Sequence, residues 1–390
     1  MSTPAQEADA LADAGAGGER YDRVIRLAQA IFGAPVAAIN LIGQHDQHTV
    51  SAVGVSVGSG PLGESVCRHT VERADILEVP DLRADERFAG FPIVAGPPQL
   101  RFYAGVPLKA PSGQLVGALC ILDRVPRELG RMQQEMLADL GAVLERELAM
   151  DAEMQHAGEV QSRLLPAAPP AVAGLEMAGR VQQASEAGGD FFDWQTPVPG
   201  DGQAHQTVQV ALADVMGKGL PSALLASEVR AVLRTHSRYV SLDEAIRRTW
   251  ETTEASLTSN NAFVTLWAGR VDPADGALSY VDAGHGLAAI ASPRGSRRLA
   301  QQHLPLGLPA LDDWEVGTDT IGDDEVLAIV SDGVYDVLGS VDEALAAFQR
   351  IAARGGSAAD MVSRILRYAT THGATDDLTA VVVRRDGAAS

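Results

Sequence analysis

The chain has 390 residues, 46% of them hydrophobic and 21% charged, which is ordinary globular usage and excludes a wholly disordered or fibrous protein. At about 150 residues per domain it holds two or three domains, each large enough to bury its own core. Its 31 Lys and Arg stand against 51 Asp and Glu, a formal net charge of −20; such a surface repels phosphate backbones and anionic lipid heads, so neither nucleic acid nor membrane is expected as a partner. Two cysteines cannot make a disulfide framework, and a reducing compartment follows. No basic region followed by an apolar run opens the chain, and the longest uncharged stretch, between Asp46 and Glu64, is filled with Gly and Ser rather than the apolar residues of a membrane span. A cytoplasmic protein is the expectation.

In chain order, residues 1–19 read as a disordered leader, poor in the apolar residues that would offset ordering entropy. Val24, Ile25, Leu27, Ala28 and Ile31 recur at helical spacing over Tyr21–Phe32. Ala34–Leu41 reads as a buried strand, Glu64–Arg73 as a short helix and Ile76–Val79 as a strand stopped by Pro80. Pro107–Asp123 reads as a hairpin turning at Pro111-Ser112-Gly113. The first part is therefore α+β with an antiparallel sheet.

Texture changes between Pro126 and Leu165, which is rich in Glu, Gln, Arg, Leu and Met. Positions 136, 140, 143, 147, 150, 154, 157, 161 and 164 alternate in steps of four and three, and all but Glu147 and Gln161 are apolar. A 3.5-residue period suits a helix that pairs with a copy of itself, so residues 131–165 are expected to be a coiled-coil linker in a parallel homodimer. Pro166, Pro169 and Pro170 end it. Beyond, Gln206–Asp214 reads as a half-buried strand and Pro221–His236 as a helix. Ser241-Leu242-Asp243-Glu244 reads as a capping box. Phe263–Tyr280 reads as a hairpin turning near Asp275-Gly276, Val326–Val330 and Ala380–Val383 as buried strands, and Asp360–Ala369 as a helix.

Four aspartates in this second part share a context. Asp190 follows Gly188-Gly189; Asp214 ends one strand; Asp332 follows the apolar strand Val326–Val330; Asp376, with Asp377, opens the last strand. A carboxylate at the end of a buried strand is costly unless something positive meets it. Should the strand ends converge, the mutual repulsion calls for divalent cations, and all-oxygen ligation suits Mg²⁺ or Mn²⁺ rather than Zn²⁺. A pair of such ions activates water for in-line attack on a phosphoryl group.

As an ordered set, Gly188-Gly189-Asp190-Phe191-Phe192-Asp193, Asp214-Val215-Met216-Gly217-Lys218-Gly219, Ala283-Gly284-His285, Ser331-Asp332-Gly333-Val334 and Asp376-Asp377-Leu378-Thr379 resemble the bacterial PPM-type, SpoIIE-like serine/threonine protein phosphatases. The likeness runs over roughly 155–385 and includes Gln161–Pro166, similar to that domain's Gln-x-x-Leu-Leu-Pro opening. It implies an αββα sandwich over 166–387 and catalysis by Asp190, Asp214, Asp332 and Asp376. These would hold two Mn²⁺ or Mg²⁺ ions together with the Val215 carbonyl, supported by Asp193 and Asp377. It also implies a phosphoserine or phosphothreonine substrate on a partner protein, in this subfamily often the antagonist of an anti-sigma factor in stress signalling. Two family features are missing: Met216 stands where eukaryotic relatives carry a general-acid histidine, and Ser185 where they carry a phosphate-clamping arginine. Lys218, one of only two lysines, reads as a solvated loop residue, and His285 as a turn stabiliser.

Residues 20–130 resemble a GAF domain, through Gly63-Glu64-Ser65-Val66-Cys67, Asp85-Glu86-Arg87-Phe88, Arg101–Leu108 and Gly117–Asp123. This implies a sensor whose ligand is unknown; Cys67 with His69, or Cys67 with Cys120, reads as structural in preference to bilin-binding, metal-binding or redox-active. The chain is thus expected to be a GAF-controlled phosphatase, the alternative being a catalytically silent binding scaffold. The Gly-Gly-Asp hairpin of a diguanylate cyclase is disfavoured because Phe191 replaces its glutamate and three aspartates would go unexplained. A histidine kinase phosphorylated at His156 is disfavoured because no glycine boxes for ATP follow.

Overall fold

The computed structural model describes residues 3–13, 18–184, 187–198, 207–300, 303–308 and 314–385. The chain forms two compact units, Met1–Gln155 and His156–Ser390. No helix among the described residues is long and apolar enough to cross a membrane.

In the first unit, helices α1 (Pro4–Asp13) and α2 (Glu19–Phe32) precede strands β1 (Val36–Ile42), β2 (Asp46–Val53) and β3 (Gly58–Pro61). Then come α3 (Cys67–Val71), β4 (Leu77–Val79), α4 (Pro92–Ala95), β5 (Phe102–Lys109), β6 (Leu115–Asp123) and the long α5 (Arg131–Leu164). The six strands make one antiparallel sheet in the order β3-β2-β1-β6-β5-β4. β1 is buried along its whole length, with Asn40 its one polar residue, because both of its faces are covered. Ala37, Ile39 and Leu41 face the helices, while Val36, Ala38 and Ile42 face a second core containing Cys67, Phe88, Tyr103 and Cys120.

Three expectations are corrected here. The leader is not disordered throughout: α1 buries Ala8 and Leu11 in the helix-side core, and Asp9 meets His48 at 2.9 Å, so two apolar residues suffice to dock it. The Gly- and Ser-rich stretch after Asp46 contains β2 and the edge strand β3, paired strands whose polar residues hid their alternation. In α5, the inward residues are Leu137, Leu140, Leu144 and Leu148, which pack on the unit's own core. Of the expected dimer seam, Leu140 is therefore used internally, whereas Met136, Val143 and Met150 stay 41%, 39% and 53% exposed. The structure does not show a coiled coil.

The second unit contains β7 (Leu175–Gln182), β8 (Phe191–Gln195), β9 (Val208–Val215), α6 (Leu220–Ser237) and α7 (Leu242–Ser259). These are followed by β10 (Val264–Val271), β11 (Ala277–Ala283), β12 (Ala288–Ser292), β13 (Gly295–Arg298), β14 (Gly317–Thr320) and β15 (Val326–Val330). The chain closes with α8 (Asp332–Asp336), α9 (Val341–Arg354), α10 (Ala358–Thr371) and β16 (Leu378–Arg385). Two antiparallel five-stranded sheets result, β14-β11-β10-β9-β8 and β13-β12-β15-β16-β7. One core lies between the sheets, where Leu212 and Trp267 meet Ile290, Ile329 and Val381. A second seats α6 and α7 on the first sheet, and a third seats α9 and α10 on the other, giving four layers. Ser241 begins α7 without a side-chain cap bond, and the Glu244 carboxylate accepts from Arg247 and Arg248 instead of closing a capping box; a capping box opens α10, at Ser357 and Asp360.

Trp267 anchors the inter-sheet core: it is fully buried, stacked on Tyr280 at 6.0 Å, and a Cβ on Gly269 would come within 2.3 Å of its ring. Trp267→Ala should destabilise the second unit by about 3–5 kcal/mol, read by denaturant unfolding, while the first unit's transition stays in place.

Candidate metal centre

Strand alternation and glycine geometry place the acidic residues. Asp190, Asp214, Asp332, Asp376 and Asp377 line one cavity of about 240 Å³, together with Met216, Gly217, Lys218, Phe263 and Thr265. They arrive from the start of β8, the end of β9, the start of α8 and the start of β16. Lys218 is the one cation among these lining residues; its Nζ meets Asp376 Oδ2 at 3.0 Å.

The loop that carries Asp190 is built by close approach. A Cβ on Gly188 would lie 2.0 Å from Asp377 Oδ2, and one on Gly189 would lie 2.4 Å from the Val215 carbonyl oxygen. Asp377 accepts the Gly189 N–H at 3.1 Å and the Ala184 N–H at 2.8 Å, so it holds the loop from one side. Gln161, near the end of α5, holds it from the other: Nε2 donates to the Gly188 carbonyl at 2.6 Å, and Oε1 accepts the Gly188 N–H at 3.2 Å. Thr379 Oγ1 then donates to Asp190 Oδ2 at 2.5 Å, and Ser331 Oγ accepts the Thr379 N–H at 2.9 Å. Gln161, Ser331 and Thr379 were visible within the motifs, but only the fold reveals that they position a carboxylate.

The residues expected to act together do not all meet. Asp193 is turned away from the cavity, because side chains alternate along β8 and its face is the one toward α6. There it is buried and held by Arg234 at 2.7 and 2.9 Å and by Arg230 at 3.1 Å, so it locks the helix layer instead of supporting the cavity. Val215 does not line the cavity, although its carbonyl sits directly behind Gly189. His285, read from the sequence as a turn stabiliser, sits in a tight turn where the carboxylate of Asp282 accepts the N–H groups of His285 and Gly286, and burial pushes the imidazole down to about 4. Ser185 lies outside the described residues.

The electrostatics follow from crowding. Burial first, and then the negative charges of Asp332, Asp376 and Asp377, push Asp214 up to about 7. Burial and the neighbouring Asp214 raise Asp190 well above the usual carboxylate range, and burial followed by Asp376 raises Asp332. Among the described residues no three His, Cys, Asp or Glu side chains are drawn into one ion-binding shell; the carboxylates are spread around the cavity wall. The donor chemistry nevertheless fits a hard divalent cation: five of the lining side chains are carboxylates, and their excess negative charge is what a dication neutralises.

Comparison with known proteins assigns the two units. Residues 18–148 match the GAF domain family, and residues 204–386 match the family of stage II sporulation protein E (SpoIIE). The chain joins a GAF domain to a SpoIIE-type, PP2C-family phosphatase domain. Asp190 and its glycine loop precede the matched part of the phosphatase domain. The RsbU and RsbW domains of Rv1364c from Mycobacterium tuberculosis share the fold with TM-score 0.50 and 22% identity, over 57% of this chain and 63% of that one. The catalytic domain of the serine/threonine phosphatase PstP, solved in complex with two manganese ions, overlaps with TM-score 0.41 and 17% identity, over 54% of this chain and 98% of that one. A cyclic di-GMP phosphodiesterase of Pseudomonas aeruginosa, PA2567, is 31% identical over 132 residues; that match spans 34% of this chain and 20% of the relative.

A cation must displace the proton that Asp214 holds below about pH 7, so protons compete with metal. The Mn²⁺-induced rise in melting temperature of the phosphatase unit should therefore grow from pH 6 to pH 8. In Asp214→Asn, thermal scans with and without Mn²⁺ should show a smaller rise with a flatter pH dependence.

Proposed function

We propose that this chain is a metal-dependent protein phosphatase that removes phosphate from serine or threonine on a partner protein. The observation that carries the reading is the gathering of Asp190, Asp214, Asp332 and Asp376 around one cavity from four separate chain segments. Asp190, Asp214, Asp332, Asp376 and the Val215 carbonyl would hold two Mn²⁺ or Mg²⁺ ions. Such ions supply Lewis acidity toward a phosphoryl oxygen and lower the pKa of an attacking water. The chain's own contribution is positional: Thr379 and the Gly188-Gly189 loop fix Asp190, and Asp377 holds that loop. Lys218, exposed beside Asp376, is placed to meet the substrate's negative charge at the cavity mouth. Met216 lines the cavity without offering a proton, so leaving-group protonation falls to solvent. None of the described residues lining the cavity is an arginine that could clamp phosphate, and recognition would rest on the partner's surface. The resemblance to the SpoIIE-like branch points to a phosphorylated antagonist of an anti-sigma factor as that partner.

Asp332→Asn should lower Mn²⁺-dependent hydrolysis of an aryl phosphate and of a phosphoserine antagonist protein by at least about 100-fold, with melting behaviour in chelator unchanged. Mn²⁺ binding without turnover on any phosphoprotein, wild type included, would instead mark a silent scaffold.

The reading extends to assembly and control. α5 presents Met136, Val143 and Met150 at seven-residue intervals on its exposed side, a stripe suited to pairing with a second copy. The GAF domain would act on the phosphatase through this helix, whose Gln161 grips the Asp190 loop. Replacing all three stripe residues by Glu should convert a dimer into a monomer, as measured by light scattering, while the first unit's core residues stay untouched.

A further inference from the structure

The chain's only two cysteines, Cys67 at the start of α3 and Cys120 on β6, are brought together in the GAF unit. Both are free thiols, 3% and 1% exposed. One side-chain amide touches both: Asn40 Nδ2 lies 3.2 Å from Cys67 Sγ and 3.4 Å from Cys120 Sγ. The amide's orientation is set from its other end, where Thr49 Oγ1 donates to Asn40 Oδ1 at 2.7 Å. The Tyr103 hydroxyl donates to Cys67 Sγ at 3.3 Å and is held by Thr70 Oγ1 at 2.6 Å. A core cysteine that merely fills space needs none of these polar neighbours. Here buried N–H and O–H groups converge on sulfur, an arrangement that stabilises negative charge there. Both cysteines also belong to the lining of a cavity of about 180 Å³ shared with Thr49 and Ser65, which leaves room for a small polar molecule beside the pair.

We propose that Cys67 and Cys120 are a hydroperoxide-reactive dithiol that closes to an intramolecular disulfide. The roles of the two thiols are unequal. Hydrogen bonding from Cys120, reinforced by Tyr103 and Asn40, draws the Cys67 thiol below the ordinary range despite burial, whereas Cys120 is pushed up by the same contact and by burial. Cys67, which accepts the Tyr103 hydroxyl and has the shorter contact to the Asn40 amide, is the attacking sulfur and Cys120 the resolving one. The Cys67 thiolate attacks one peroxide oxygen; the O–O bond breaks, a sulfenic acid forms, and the departing hydroxide takes up the proton released by Cys67 to become water. Cys120 sulfur then attacks Cys67 sulfur; the S–O bond breaks, the S–S bond forms, and the hydroxyl leaves with the Cys120 proton as a second water. One dithiol and one hydrogen peroxide give one disulfide and two waters. His69 takes no part: its ring packs on Phe88 at 5.1 Å and its Nδ1 faces Glu72 at 3.4 Å.

The experiment is intact-mass analysis of the reduced full-length chain after stoichiometric hydrogen peroxide, with unfolding and alkylation. The expected product has lost the mass of two hydrogens, takes up no alkylating agent, runs as a monomer on a non-reducing denaturing gel and is restored by dithiothreitol. Cys120→Ala should stop at a sulfenic acid on Cys67 captured by dimedone, and Cys67→Ala should react about tenfold more slowly or less. Two alkylatable thiols after treatment, a covalent link between chains, or direct passage to sulfinic acid would each overturn the assignment, and these wild-type readouts do not depend on any variant folding.

Discussion

Repulsion among carboxylates is the constraint around which the second unit is organised. Asp190, Asp214, Asp332, Asp376 and Asp377 share one cavity wall with a single lysine, in a chain that is already strongly negative. Burial and like charges held at short range raise the proton affinity of a carboxylate, and Asp214 is pushed up by burial first and then by Asp332, Asp376 and Asp377. Such an arrangement persists only when the surrounding fold overdetermines it. Here the overdetermination is visible: two glycines allow backbone to press against Asp377 and the Val215 carbonyl, while Thr379 and Gln161 fix the same loop through hydrogen bonds.

The sandwich supplies the framework. β15 and β16 are neighbours in one sheet, β8 and β9 in the other, and the carboxylates sit where these strands start or end. The inter-sheet core around Trp267 and the two helix layers hold the sheets together, so carboxylates from motifs far apart in the chain reach one cavity. Asp193 shows how narrow the geometry is. Three residues from Asp190, it falls on the opposite face and serves the α6 layer through Arg230 and Arg234.

Much of this was readable from the sequence, and the failures have physical causes. The strand Val326–Val330, and Ala380–Val383 within β16, announced themselves by unbroken apolar runs, and the hairpins by Gly113 and Gly276 at their turns. β2 did not, because a half-exposed strand with Asp, Gln, His and Thr carries little hydrophobic contrast. The docking of α1 rests on Ala8 and Leu11 alone, too small a signal to outweigh a polar composition. In α5 the heptad was real in the letters, yet Leu137, Leu144 and Leu148, one residue off the expected seam, carry the burial, because the helix must first cover its own domain. The acidic cluster was legible as an ordered set of motifs; the side to which Asp193 turns, and the clamp formed by Gln161, depend on tertiary contacts that no local pattern encodes.

The two units thus place distinct chemistries in one chain, thiols in the first and crowded carboxylates in the second. The central claim is that the carboxylates converge on cations. A crystal of the full chain grown with Mn²⁺ and measured at the manganese absorption edge tests it most directly. The account predicts anomalous density between Asp190, Asp214, Asp332 and Asp376, with their oxygens at bonding distance. Anomalous peaks elsewhere only, with these side chains still spread around an ion-free cavity, would contradict it.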